Sequence, residues 1–274
     1  MQNIKIAILD MYNGTENQGM RNIHQILDNY AANHRVAIQK TVFDIRGKQE
    51  KPTLDYDIYI SSGGPGSPVD NEGWEKNYIK FVKDVMKHNK TATDKKHIFF
   101  ICHSFQVMCH HFNLGDVCLR KSESFGTYPV FSTDEGLGDL IFKNLPRPFY
   151  IVDSRKWQVI APNDSKIEKM GAQILALEKL RPHVSLERAL MAIRFSPEMV
   201  GTQFHPEADA EGMLHYWQSE EKKQLVIENH GIEKYNTMIA TLHDEDKIML
   251  TQSLIIPQFL DNALLSVQQK QVSA

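Results

Sequence analysis

Apolar residues follow two rhythms along this chain. From Ile4 to Leu9 they run nearly unbroken and stop at the turn-rich segment Asp10 to Gly14, which predicts a buried strand. Asn17 to Tyr30 then sets Ile23, Ile26, Leu27 and Tyr30 on one face, the spacing of a helix. Val36 to Ile45 and Tyr56 to Ser61 predict two further strands, the second closed by Gly63-Gly64-Pro65-Gly66-Ser67-Pro68. In Trp74 to Lys87 the positions Tyr78, Phe81, Val82, Val85 and Met86 form an apolar stripe with lysines opposite, an amphipathic helix. His97 to Ile101 predicts a fourth strand that runs directly into Cys102 and a helical stretch, Ser104 to Phe112.

Strands alternating with helices at this spacing imply parallel βαβ units. The fold class is therefore α/β, an open, doubly wound, mostly parallel sheet with helices on both faces. From Val117 to Phe204 the texture changes to short strand candidates with little helix between them: Tyr128 to Phe131, Phe149 to Val152, Gln173 to Leu177, Ala189 to Phe195 and Met199 to Phe204. These predict hairpin insertions plus one or two strands returning to the sheet. After Glu207 the pattern is helical, carried by Met213, Leu214, Trp217, Leu225 and Val226 and then by apolar positions from Ile239 to Leu264. The expected division is residues 1–210 as the α/β domain and 211–274 as a helical extension packed on or beside it. Within that extension Glu220-Glu221-Lys222-Lys223 reads as a solvated helix surface.

The 274 residues are 42% hydrophobic and 24% charged, the balance of a globular chain with a real core. With 31 basic and 34 acidic side chains the net charge is -3, so no overall positive field exists to hold nucleic acid or an anionic membrane. Cys102, Cys109 and Cys118 are an odd, crowded set that makes a poor disulfide framework and fits a reducing compartment. The apolar run at Ile4 is interrupted by Lys5 and too short for a signal sequence or a membrane span. A cytoplasmic protein is expected.

Three segments could carry chemistry. In Phe99-Phe100-Ile101-Cys102-His103-Ser104-Phe105-Gln106 a cysteine stands where an apolar strand turns into a helix. Such a turn lifts the sulfur above the carboxyl edge of the sheet, and the helix N-terminus beneath it favours thiolate. Taken alone, Cys102 could equally be a small buried hydrophobe. Val200-Gly201-Thr202-Gln203-Phe204-His205-Pro206-Glu207 ends a strand with an imidazole and a carboxylate two residues apart, pointing the same way in an extended chain. Glu207 would orient His205, whose other nitrogen would face a thiol from a neighbouring strand end. The glycine-rich loop after Ser61 suits an oxyanion or anion site, although such loops are usually only turns. His103, Cys109, His110, His111 and Cys118 crowd the same region, but their spacing matches no metal motif, and no metal or other cofactor is expected. Met108, Cys109 and Phe112 are expected to pack the helix on the sheet, with His110 and His111 outward.

In this order and at these strand ends the three segments resemble the class I glutamine amidotransferase domain, over roughly residues 4 to 210. The Gly-Gly-Pro-Gly loop is Gly63 to Gly66, the Cys-x-Gly-x-Gln elbow is Cys102 to Gln106, and the terminal His-Pro-Glu is His205 to Glu207. Glu123 to Val130 also looks like the family's segment after the elbow helix. The resemblance implies a flavodoxin-like sheet, a thiolate nucleophile at Cys102, a base at His205 and an orienting carboxylate at Glu207. It further implies oxyanion N–H donors from Gly64 and His103, and contacts to a glutamine substrate from Gly63, Gly66 and Gln106. The chain departs from the family at two places: Phe100 replaces a glycine two residues before the nucleophile, and Ser104 replaces one two residues after it. Val152 to Trp157 stands where relatives commonly have a histidine-rich turn.

Three functions are left open. The chain could be the glutaminase half of a two-protein amidotransferase, similar to the domain found in GMP synthase, passing ammonia to a synthase partner. It could be a free-standing hydrolase of γ-glutamyl peptides or amides. It could also be a catalytically silent binding protein of the same fold. The stretch after Glu207 is too short for a nucleotide-binding synthase.

Overall fold

The computed structural model describes residues 3–273, apart from the side chains at positions 221, 222, 225, 229, 230, 243 and 268–273. The expectations for Glu221, Lys222 and Leu225 thus lie outside the described residues. The first half of the chain is doubly wound. Strand β1 (Asn3–Asp10) lies between β2 (Ala37–Asp44) and β3 (Ile58–Ser61), and β3 leads to β4 (His97–Ile101), all pairs parallel. Helix α1 (Gly19–His34) follows β1, α2 (Trp74–Thr91) follows β3 and α3 (His103–His111) follows β4. The period-two alternation of a strand separates two cores. Ile4, Ile6 and Ile8 face Ile23, Ile26 and Leu27 of α1, whereas Ala7 and Leu9 face Trp74, Tyr78 and Val82 of α2. Because both faces of β1, β3 and β4 are covered, these strands read as near-continuous apolar runs, whereas β2 at the sheet edge is partly exposed.

The second half is a set of long antiparallel strands. β5 (Asp116–Ser132) pairs with β6 (Phe149–Ile160) and with β7 (Gln173–Glu178), and β7 continues through β8 (Leu190–Ser196) to β9 (Met199–Thr202). β9 is parallel to β4, so among the described residues nine strands form one sheet in the order β2-β1-β3-β4-β9-β8-β7-β5-β6. The sheet curls back on itself, since Val152 of β6 bridges His205 just beyond β9. The hairpins expected between Val117 and Phe204 are this antiparallel half, but β5 and β6 are much longer than the predicted Tyr128–Phe131 and Phe149–Val152. Short helices α4 (Asp134–Gly138) and α5 (Asp164–Met170) sit in its connections.

The extra length was masked by polar residues that turn out to be buried. Arg155 of β6 donates from Nε to Asp153 at 2.8 Å, Ser124 Oγ donates to the same carboxylate at 2.7 Å, and Arg120 reaches Glu178 at 3.0 Å. Asp153, Arg155 and Glu178 are all buried. Each charge is paired, as burial requires, but a sequence of Arg, Lys, Ser and Glu does not read as an inward strand face.

The C-terminal segment contains α6 (Ala210–Gln218), α7 (Glu220–His230), α8 (Ile232–Ala240) and α9 (Leu250–Ser273). Asp209 caps α6 by accepting from Gly212 N at 2.7 Å and is held by Arg21 of α1, also at 2.7 Å. Trp217, Val226, Tyr235, Met238 and Leu242 form a third core over Val152, with Phe125 of β5 against it. The stretch Glu245–Val267 is long and apolar enough to cross a membrane by length and composition. Its Ile255, Ile256, Phe259, Leu260 and Ala263, however, pack in the core shared with Ile4, Ile6 and Phe99, where Phe259 meets the Phe99 ring edge-on at 5.2 Å. These side chains are part of the protein interior.

Candidate active site

Every predicted site segment leaves the carboxyl edge of the parallel strands. The glycine loop comes after β3, Cys102 after β4, and His205 and Glu207 after β9. At Cys102 the backbone takes φ 46°, ψ -95°, a conformation that costs energy for a residue with a Cβ. Hydrogen bonds hold it there. Cys102 N donates to Thr202 O at 2.8 Å, Ser104 Oγ accepts from Ile101 N at 2.9 Å, and the same hydroxyl lies 2.9 Å from Ser61 O and 3.0 Å from Ile101 O. Ser104, one of the two departures from the family pattern, thus ties the elbow to the end of β3.

The second departure is accommodated across the ladder. Phe100 is paired with Gly201 of β9, and a Cβ on Gly201 would stand 2.9 Å from the Phe100 Cβ. The bulk absent from β9 is taken up by β4, and the Phe100 ring packs edge-on against Phe195 at 5.5 Å.

His205 is fixed from both sides. Its N donates to Val152 O at 2.9 Å, and Nδ1 lies 2.7 Å from Glu207 Oε1. Glu207 is buried, and its backbone carbonyl accepts from Gln252 Nε2 of α9 at 3.3 Å. Cys102 acts on the same ring electrostatically. Burial opposes the charged imidazolium, but the negative charges of Glu207 and Cys102 outweigh it, and the pKa of His205 is raised well above the ordinary value. Gly63 packs beside this ring: a Cβ there would come within 2.8 Å of His205 Cε1, so the loop needs glycine to approach. The structure therefore brings Cys102, His205, Glu207 and Gly63 together.

The remaining predicted residues surround this group. Gly64 lies against the Met11 main chain, and Gly66 contacts Arg46, whose buried guanidinium also binds Pro65 O and Glu72. His103 is buried, its ring tilted against Trp74 at 6.1 Å; desolvation, then the Arg46 charge, hold its pKa down to about 3, so the ring is neutral. Gln106 is buried and its Nε2 donates to Trp157 O at 3.2 Å and to Gln203 Oε1 at 3.1 Å. Met108 and Cys109 pack inward while His110 and His111 are exposed. Among the described residues no group of three or more His, Cys, Asp or Glu side chains is gathered as a metal site.

Sequence reasoning missed three contributors. Tyr12, two residues past β1, reaches Gly63, where a glycine Cβ would lie 3.3 Å from its hydroxyl. Burial, then Glu207, Cys102 and Asp10, push its phenol well above the usual value, so it stays protonated. Its place after a parallel strand was the available signal. Ser154 O lies 4.0 Å from the Cys102 sulfur, and it belongs to the part of β6 that the pattern did not reveal. Gln203, two residues before His205, approaches the same sulfur with Nε2 at 3.8 Å.

Known proteins share both this sequence pattern and this architecture. The family model for glutamine amidotransferase class-I matches residues 16–221. A search of curated proteins gave no match. Among solved structures, a glutamine amidotransferase of Thermotoga maritima is 14% identical with a TM-score of 0.67, the match covering 96% of this chain and 99% of that one. A protein of Thermoplasma acidophilum described as a putative GMP synthase subunit is 20% identical (TM-score 0.50; 75% and 85% covered). The glutaminase domain of Trypanosoma brucei CTPS, solved with bound acivicin, is 15% identical (TM-score 0.57; 74% and 86% covered). At these identities the structures speak for the fold, a curled mixed sheet of the amidotransferase type, while the family match covers most of the sequence. The chain belongs to the class-I glutamine amidotransferase family.

Proposed function

We propose that this protein hydrolyses the side-chain amide of glutamine through a γ-glutamyl thioester on Cys102. The observation that carries this reading is the meeting of the strained cysteine after β4 with the His205–Glu207 pair after β9. Cys102 gives its proton to His205 and attacks the amide carbonyl. Backbone N–H groups of Gly64 and His103 receive the oxyanion, and His205 returns the proton to the departing ammonia. Water, deprotonated by His205, then releases glutamate and restores the thiol. Glu207 holds the imidazole in the required tautomer and stabilises its charged form. Gly63 and Gly66 shape the substrate side of the loop. The ammonia passes to a synthase partner.

A second reading, a free-standing γ-glutamyl peptide or amide hydrolase, draws on one feature. Helices α6 to α8 cover Phe125 and Val152 beside His205, so that flank is not open to a synthase. The silent-scaffold reading loses its motive, since Gly201 and the Ser104 hydrogen bonds accommodate both departures from the family pattern.

The test is labelling with a glutamine-like diazoketone, followed by intact mass and peptide mapping. One adduct on Cys102, suppressed by excess glutamine and absent in Cys102→Ala, is expected. Full amide hydrolysis by Cys102→Ala would overturn the assignment. Turnover of γ-glutamyl dipeptides without any added protein would select the second reading.

A further inference from the structure

Gln203 is fully buried between β9 and His205, and its amide orientation is dictated by a chain of obligate partners. The Trp157 carbonyl can only accept, so the group Gln106 turns toward it must be the NH2, at 3.2 Å. The other hydrogen of that NH2 meets Gln203 at 3.1 Å, which makes the Gln203 atom there Oε1. The remaining end, Nε2, is left 3.8 Å from the Cys102 sulfur. An N–H donor is thereby locked toward the nucleophile. Trp157 O is itself anchored, since it also accepts from Arg155 Nη1 at 3.2 Å, in the buried charge cluster of β6.

We infer that Gln203 is a positioning residue for the thiolate: it donates to the Cys102 sulfur, and Gln106 acts in part by preventing its amide from flipping. This rests on the reading of Cys102 as nucleophile. Hydrogen bonds to a charged acceptor are stronger than those to its neutral form, so the donor favours the thiolate over the thiol and tightens when the proton moves to His205. The sulfur is otherwise faced by Ser154 O from β6, by Tyr12 from the loop after β1, and by His205 with Glu207 behind it. Ser154 O is an acceptor and can only stabilise the thiol. Gln203 sets against that acceptor a buried N–H donor whose orientation is fixed.

The experiment is iodoacetamide alkylation of Cys102 between pH 5 and 10, resolved from Cys109 and Cys118 by peptide mass. It compares wild type with Gln203→Met, Gln203→Asn and Gln106→Met, each checked for folding by circular dichroism. Gln203→Met removes the donor at similar volume, and Gln203→Asn keeps an amide but withdraws it by one methylene. Both should alkylate about tenfold more slowly at neutral pH and rejoin the wild-type rate at high pH, where the thiolate is complete. Gln106→Met should shift in the same direction by less. In glutamine turnover kcat should fall more than KM changes. A folded Gln203 variant with the wild-type pH profile overturns the inference while leaving the nucleophile intact. A wild-type Cys102 that does not react at any pH overturns the nucleophile reading itself and this inference with it.

Discussion

The two halves of the sheet solve the same burial problem by different means. In the parallel half, β2-β1-β3-β4-β9, the inner strands β1, β3 and β4 are packed with buried apolar side chains on both faces, and β4 holds the nucleophile at its carboxyl edge. The antiparallel half is long, carries an arginine–carboxylate cluster inside it, and supplies the opposite wall through Val152, Ser154 and Trp157. The first half depends on packing, which is non-directional. The second depends on directional charge pairs that fail when one member is removed. This division of labour sets a charge-paired scaffold beside a site whose attacking group rests on apolar strands.

The largest expected effect breaks the second half. Arg155→Met leaves Asp153 buried without its main partner and should cost about 3–5 kcal/mol in urea unfolding. The double variant Arg155→Met with Asp153→Leu should recover most of that loss. If the double variant is no more stable than the single, charge pairing is not what matters there. In the parallel half, Gly201→Ala forces a methyl against Phe100 and should cost about 1–3 kcal/mol. Adding Phe100→Gly, which removes the Cβ that the new methyl meets, should relieve part of it in a double-mutant cycle, and additive losses would disprove the cross-strand exchange. Next in size, Ser104→Ala strips Ile101 N and Ser61 O of their hydroxyl partner and should lower stability by about 1–2 kcal/mol. Diazoketone labelling should slow in parallel, because the Cys102 backbone loses its brace; unchanged labelling would mean that the brace is dispensable.

The last effect depends on pH and is spread over several units. Desolvation, with help from Arg194, holds His97 down to about 4, and His103 is held to about 3, against 6.5 in the unfolded chain. Below pH 6.5 the unfolded state therefore takes up protons that the folded state refuses, and stability falls as the pH drops toward 4. His205 has the opposite sign: its raised pKa contributes stability below pH 6.5 that is lost as the pH rises through its folded value. His97→Leu should remove one proton from the acid slope of the urea midpoint; an unaltered slope would show that His97 is not the group responsible.

Legibility in the sequence divides along the same boundary. The strands Ile4 to Leu9 and His97 to Ile101, and the helix beginning at Trp74, were legible because burial on one or both faces writes a simple apolar period. So were Cys102, His205, Glu207 and the glycine loop as strand-end chemistry. The first part of β5 and the last part of β6 were not, because their inward residues are charged and satisfied only by one another across strands far apart in sequence. The role of Gln106 also exceeded its motif, since nothing in the chain order indicates that its amide meets Gln203, 97 residues away.

By itself, then, the sequence determined which strands are buried, which side chains stand at their ends and which way each strand end points, because these depend on local period and on the backbone's own geometry. Only the tertiary structure decided what those ends touch. The exchange of bulk between Phe100 and Gly201, the bracing of the elbow by Ser104, the amide chain from Trp157 to Cys102 and the covering of His205's flank by α6 to α8 all join residues distant along the chain. Close packing and hydrogen-bond satisfaction act on neighbours in space, and a linear pattern carries no record of who those neighbours will be.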